Sequence, residues 1–240
     1  MKNQGLPYIS FAGKASYEIS GLVVTKLPPP TKPSQRYEEA VVPGVDGSLS
    51  LIDGTAETVP LPVELYAESY AAAMAANAWL CGMGELVISS VPDKAYSAHI
   101  YGAIEWSEIE DFEGSYIAQA VFTAQPYPYV ERTAEYTVEP SGTLALRNSY
   151  DVVAYPLITF IRTADETATI VINGDTVLEV PNWNETELIV DSEIMECYAP
   201  DLSAKNEYCY SFPEFEPNTE YIVACENCRA IIKPRWRCKG

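Results

Sequence analysis

The chain has 240 residues, enough for two modest domains or one large all-β domain. With 34 acidic against 15 basic residues and a formal charge of −19, the chain should repel phosphates, whose binding needs clustered Lys or Arg. Specific nucleic-acid binding is therefore not expected, and the simplest reading of the charge is solubility, with a further role equally open. No stretch approaches the roughly 20 apolar residues of a membrane helix, and the segment from Met1 to Pro7 holds no apolar signal core. Folding in a cytoplasm is expected, with the six cysteines as free thiols rather than a disulfide framework.

Hydrophobic residues make up 48% of the chain, so disorder is not expected. The 17 tyrosines and short runs of Val, Ile and Thr favour strands. Tyr8 to Phe11 and Ile19 to Leu27 form two strands parted by a Gly13-Lys14 turn. The segment from Pro28 to Pro33 favours polyproline II and reads as a stiff connector, the alternative being an SH3-type ligand. Asp46-Gly47 and Asp53-Gly54 bracket an alternating strand from Ser48 to Ile52, which predicts hairpin turns at both. Val59 to Tyr66 is a further strand, and Pro60 and Pro62 place it at an edge or a strand start.

One helix is expected, over residues 67–81, on the strength of its alanines. Tyr70, Met74, Ala78 and Cys81 share a face at helical spacing, and that face is expected to pack on a sheet. Glu85 to Ser90, Tyr96 to Trp106 and Tyr116 to Ala124 are strands, after which Gln125-Pro126-Tyr127-Pro128-Tyr129 breaks the pattern. The expected domains are residues 1–132 and 133–240. In the second, Asn173-Gly174 between two apolar strands predicts a type I′ hairpin, and strands recurring about every ten residues predict a β-sandwich.

Catalytic candidates are few. His99 is the sole histidine and sits in an alternating strand pattern, as expected of a solvent-facing or hydrogen-bonded residue. Glu105, Glu108, Glu110, Asp111 and Glu113 surround Trp106, which suits either a sugar cleft or an acidic hairpin tip. No Gly-rich phosphate loop and no His-Glu-x-x-His helix occurs. Cys225-Glu226-Asn227-Cys228 has the spacing of a zinc knuckle, and Cys209 with Cys238 would complete four thiolates. The alternatives are a disulfide formed after release and two cysteines placed by chance across a hairpin turn at Glu226-Asn227. Trp183 is the candidate glycan contact, alongside a structural place at a sandwich end or against a neighbouring subunit. Asn184-Glu185-Thr186 matches the glycosylation pattern but carries no weight without a secretion signal. No cofactor is implied.

Several strings recur together in an ordered way. Phe11-Ala12-Gly13-Lys14 precedes Gly21-Leu22-Val23-Val24, the prolines from Pro28 to Pro33, Arg36, Glu38-Glu39 and Val42-Pro43-Gly44-Val45-Asp46-Gly47. Trp79-Leu80-Cys81-Gly82-Met83-Gly84-Glu85-Leu86 leads to Pro92-Asp93-Lys94-Ala95-Tyr96-Ser97-Ala98, and Gln125-Pro126-Tyr127 marks the boundary. Asp191-Ser192-Glu193 and Lys233-Pro234-Arg235-Trp236-Arg237 follow. In order and spacing the chain resembles the distal tail protein (Dit) family of long-tailed bacteriophages, over nearly its whole length. It departs from the family at Val45, where an Arg is usual.

The resemblance implies a mainly β fold of two β-sandwiches. The first holds the helix and forms a hexameric ring; the second is galectin-like. It implies no enzyme but a structural virion component at the phage tail tip, assembled in the bacterial host cytoplasm. Its implied partners are five further copies, the tail tube protein, the tail-tip protein and receptor-binding proteins, with no membrane. DNA would pass the ring channel, and an acidic or neutral wall is expected there. The competing readings are a carbohydrate-binding module or adhesin acting through the second sandwich and a glycosidase acting through the acids near Trp106.

Overall fold

The computed structural model describes residues 5–41, 43–44, 46–131, 133–181 and 185–239. The chain divides into two compact units, one running up to Pro128 and taking in Lys239, the other running from Tyr129 to Cys238.

The first unit contains β1 (Ile9–Phe11), β2 (Lys14–Ala15), β3 (Leu22–Lys26), β4 (Gln35–Ala40), β5 (Leu49–Ala56) and β6 (Val59–Ala67). After helix α1 (Tyr70–Trp79) come β7 (Gly82–Ile88), β8 (Lys94–Ile100), β9 (Trp106–Glu108) and β10 (Tyr116–Ala124). The main sheet runs β2-β1-β7-β8-β10-β6-β3, with β9 beside β10. β8 and β10 share only Thr123↔His99 and Ala124↔Ala98, so the sheet turns back on itself there and encloses a core. Phe11 from one half meets Phe122 from the other, ring centroids 5.1 Å apart. Alternate residues of β6 (Val59, Leu61, Val63, Leu65, Ala67) and β10 (Ala118, Ala120, Phe122, Ala124) are buried, the period of two expected of strands covered on one face.

β6 differs from its expected edge position. It lies between β10 and β3, but β3 pairs only with Glu64 to Ala67. Pro60 and Pro62 fall where that flank has no ladder to interrupt, which is how a central strand carries two prolines.

The helix is shorter than residues 67–81. Ala67 ends β6, and Ser69 caps α1 by accepting a hydrogen bond from Ala72 N at 3.2 Å. The buried face is Ala72, Ala73 and Ala76 with Leu80, while Tyr70, Met74, Ala78 and Cys81 are exposed. The expected packing face is thus the outer one. The reason is close approach: a Cβ on Gly21 would lie 3.5 Å from Ala72 Cβ, so only small residues fit beneath the helix.

β4 and β5 form a two-stranded sheet of their own. Asp53-Gly54 is not a turn but lies inside β5 at a bulge, where the register passes from Gln35↔Ala56 to Tyr37↔Ile52. Gly54 takes φ +84° there, the positive value that suits glycine. The strand expected from Tyr96 to Trp106 is likewise two, β8 and β9.

The second unit contains β11 (Tyr129–Val130), β12 (Tyr136–Val138), β13 (Thr143–Arg147), β14 (Leu157–Arg162), β15 (Ala168–Ile172) and β16 (Asp175–Val180). β17 (Glu187–Asp191), β18 (Glu196–Tyr198), β19 (Glu220–Glu226) and β20 (Cys228–Lys233) complete it. One layer runs β12-β20-β14-β17-β18 and the other β13-β19-β15-β16, all antiparallel, around one buried cluster. Asn173 and Gly174 both take positive φ, 51° and 92°, and close the expected type I′ turn. Buried Asn148 spends its whole side chain on backbone: Nδ2 donates to Val152 and Phe215 carbonyls, and Oδ1 accepts from Tyr150 N. The mainly β fold with one α-helix agrees with expectation.

Glu226-Asn227 does not close a hairpin. β19 is flanked on both sides by β13 and β15, so β20 cannot pair with it. The chain crosses instead from one layer to the other.

Candidate assembly surface

Residues with catalytic potential are dispersed. His99 is half-buried on β8 and stacks on Tyr101, ring centroids 4.8 Å apart. Glu105, Glu108, Glu110, Asp111 and Glu113 are exposed around the β9–β10 turn. Trp106 turns inward from them and donates from Nε1 to Asn77 Oδ1 on α1 at 2.9 Å, which makes it an anchor for the helix. Trp183 lies outside the described residues. Among the described residues no three His, Cys, Asp or Glu side chains stand close enough to hold a metal ion, so Cys209, Cys225, Cys228 and Cys238 do not form the four-thiolate set.

Two of the ordered strings meet in the second unit. Arg235 binds Asp191 through Nη1 to Oδ1 at 2.6 Å and Nη2 to Oδ2 at 3.0 Å, and Nη1 lies 3.3 Å from Glu193. Tyr129 donates its hydroxyl to Glu193 at 2.7 Å. Burial and the adjacent Glu193 carboxylate push the Tyr129 phenol well above its ordinary 10.0. Trp236 enters the core against Phe215, while Arg237 donates to the Val153 carbonyl and lies 4.6 Å over the Tyr155 ring. The motif fastens the C-terminal strand to the fold and offers no free nucleophile.

Exposed apolar residues concentrate elsewhere, in the first unit. On the β4–β5 hairpin Tyr37, Leu51 and Ile52 are each more than half exposed. A two-stranded ribbon without a covered face is marginal by itself. The proline segment that leads into it forms one wall of a concavity of about 610 Å³, with Leu61, Ile88, Val91 and Tyr96 opposite. The outer face of α1 adds Tyr70 and Met74. Sequence reasoning missed this helix face because the same 3.6-residue stripe fits either side; the signal was the competing stripe Ala72, Ala73, Ala76.

Comparison with known proteins bears on these surfaces. Neither family models nor curated proteins give a match. Among solved structures, the SPP1 Dit (gp 19.1) protein superposes with a TM-score of 0.65 over 95% of this chain and 97% of that one, at 14% identity. The chain has the Dit fold. The SPP1 protein is described as a paradigm of the hub adsorption apparatus in phages that infect Gram-positive hosts. The superposition spans both units, so the Dit fold covers the helix-bearing sheet domain and the two-layer sandwich alike.

Proposed function

We propose that the protein is a distal tail protein: a structural virion component at the phage tail tip, with no catalytic role. Six copies form a ring in the host cytoplasm, join the tail tube to the tail-tip protein and receptor-binding proteins, and leave a channel for DNA. The observation that carries this reading is the end-to-end Dit fold of the chain. The exposed β4–β5 hairpin supports it, because its apolar residues need cover that the described part of one copy does not provide. Cyclic assembly is heterologous, so this arm would meet a different patch on the next copy.

Native mass measurement with negative-stain imaging tests the reading. The expected result is a sixfold particle with a central hole. A protein that stays monomeric at every concentration and binds oligosaccharide would replace the hub with the carbohydrate-binding module.

A further inference from the structure

We infer that Cys225 and Cys228 are a redox-active dithiol that closes to a disulfide across the crossing between the two layers of the second sandwich. The geometry rests on strand placement. Cys225 lies on β19 opposite Ile170 of β15, and Cys228 lies on β20 opposite Arg162 of β14, in the other layer. Yet the Cys228 thiol donates across the layers, to the Thr169 carbonyl of β15 at 3.4 Å. Thr169 adjoins the residue that faces Cys225. Both sulfurs therefore face the same space between the layers, close enough for each thiol to shift the other's ionisation. Asn227, at φ +56°, makes the sharp reversal that lets residues three apart meet there. Both cysteines are buried in the core cluster, but Glu226 between them is exposed, so opening this one turn admits a small oxidant.

Once Cys225 ionises, the Cys228 proton can turn from the Thr169 carbonyl to the new thiolate; that hydrogen bond favours the Cys225 thiolate over its thiol and outweighs burial, so Cys225 ionises first. The same contact, with burial, holds the Cys228 thiol protonated. The thiolate of Cys225 attacks one sulfur of a low-molecular-weight disulfide such as oxidised glutathione, breaking its S–S bond and expelling one thiolate. That thiolate takes the Cys228 proton. Cys228 then attacks the Cys225 sulfur, breaks the mixed disulfide and expels the second thiolate, which takes a proton from water that replaces the one Cys225 lost on ionising. Two cysteine thiols are oxidised and one small disulfide is reduced to two thiols. The dithiol persists in a reducing cytoplasm and closes outside it. This inference stands apart from the hub reading, since it needs only the second sandwich and an oxidising medium.

The test uses the full chain carrying Cys209→Ser, because trypsin releases residues 206–229 as one peptide that holds Cys209, Cys225 and Cys228. The folded protein is incubated with oxidised glutathione, quenched in acid, blocked with N-ethylmaleimide and digested. The expected peptide is lighter than the dithiol by two hydrogens, takes no maleimide, and takes two after dithiothreitol. Cys228→Ser in the same background should retain one glutathione on Cys225. A peptide that takes two maleimides, a stable glutathione adduct with Cys228 present, or closure only after unfolding in urea would overturn the assignment.

Discussion

Arg235 holds Asp191 through both terminal guanidinium nitrogens, 45 residues of chain being folded so that the two meet at 2.6 and 3.0 Å. Asp191 is buried and Arg235 three-quarters so, which makes this a pair removed from solvent screening. Deleting one partner strands the other charge. Arg235→Ala is expected to lower stability by about 3 kcal/mol. Arg235→Lys keeps the charge but loses the fork, and should fall between wild type and Ala. Urea unfolding of the full chain checks both; equal stabilities for all three proteins would show the pair to be inert.

The helix makes a second, sharper contrast. Ala76 is fully buried and Met74 is 41% exposed. Ala76→Leu should destabilise by about 2 kcal/mol, since extra methylenes force the helix off the sheet beneath it. Met74→Ser should stay within about 0.5 kcal/mol. The reverse ranking in thermal unfolding would restore the outer stripe as the packing face.

A third prediction concerns alkaline pH. Burial, with the charges of Cys209 and Glu207, raises the Cys197 thiol from 9.0 to about 12. The folded state thus keeps a proton that the unfolded chain releases first. The stability this supplies is complete below pH 9 and is lost as pH rises from 9 towards about 12. The unfolding midpoint should fall through that window, and Cys197→Ala should make the fall that begins near the ordinary thiol value shallower, the remainder belonging to Cys209, whose thiol burial also raises, and to Cys228, whose thiol Cys225 and burial raise. An unchanged slope in the variant would assign the loss to other groups, such as Tyr150, which burial and its hydrogen bond to Glu131 raise to about 12.

What could be read from the sequence followed from local rules. Asn173-Gly174 closes its hairpin because both residues tolerate the positive φ of a type I′ turn, whose twist matches that of the flanking strands. Alternation in β10 marked its buried side because one face of that strand is covered. The failures have a common cause in long-range pairing. Whether Asp53-Gly54 turns the chain or bulges depends on the partner strand continuing to Gln35, which no local signal states. Whether Glu226-Asn227 closes a hairpin depends on β19 already having two neighbours. Which side of α1 faces inward depends on how close Gly21 lets it come. The candidate site fared likewise: Asp191 and Arg235 were each singled out, but only the fold joins them. The exposed hairpin was legible as a strand, not as a ribbon standing outside the main sheet.

The hairpin gives a prediction about assembly. Tyr37 and Ile52 are cross-strand partners and both are exposed, so a charge at either should leave the domain folded. If the hairpin clasps the next copy, burying that charge without a counter-ion is costly. Tyr37→Glu and Ile52→Glu should each keep the wild-type circular dichroism spectrum and abolish the sixfold particle. Intact rings from both variants, measured by light scattering, would move the clasp elsewhere.

The final prediction concerns the channel. If the protein forms the hub proposed above, DNA leaving the phage must slide past it, and any ring of Lys or Arg on the wall would trap phosphates. In the sixfold ring proposed above, the chain's formal charge of −19 would be multiplied sixfold, and the acids of the first domain would be the candidates for the wall. Repulsion acts over only about 8 Å at physiological salt, but a channel narrow enough to guide a duplex keeps every phosphate near that range. The assembled ring should therefore show no retention of duplex DNA in a gel-shift assay, at physiological salt or below it. Lowering salt strengthens any attraction to phosphate, so the low-salt arm is the more demanding one. Binding that appears at low salt and weakens steeply with added salt would reveal a basic wall, and would place the excess acid on the outer surface, where it serves solubility alone.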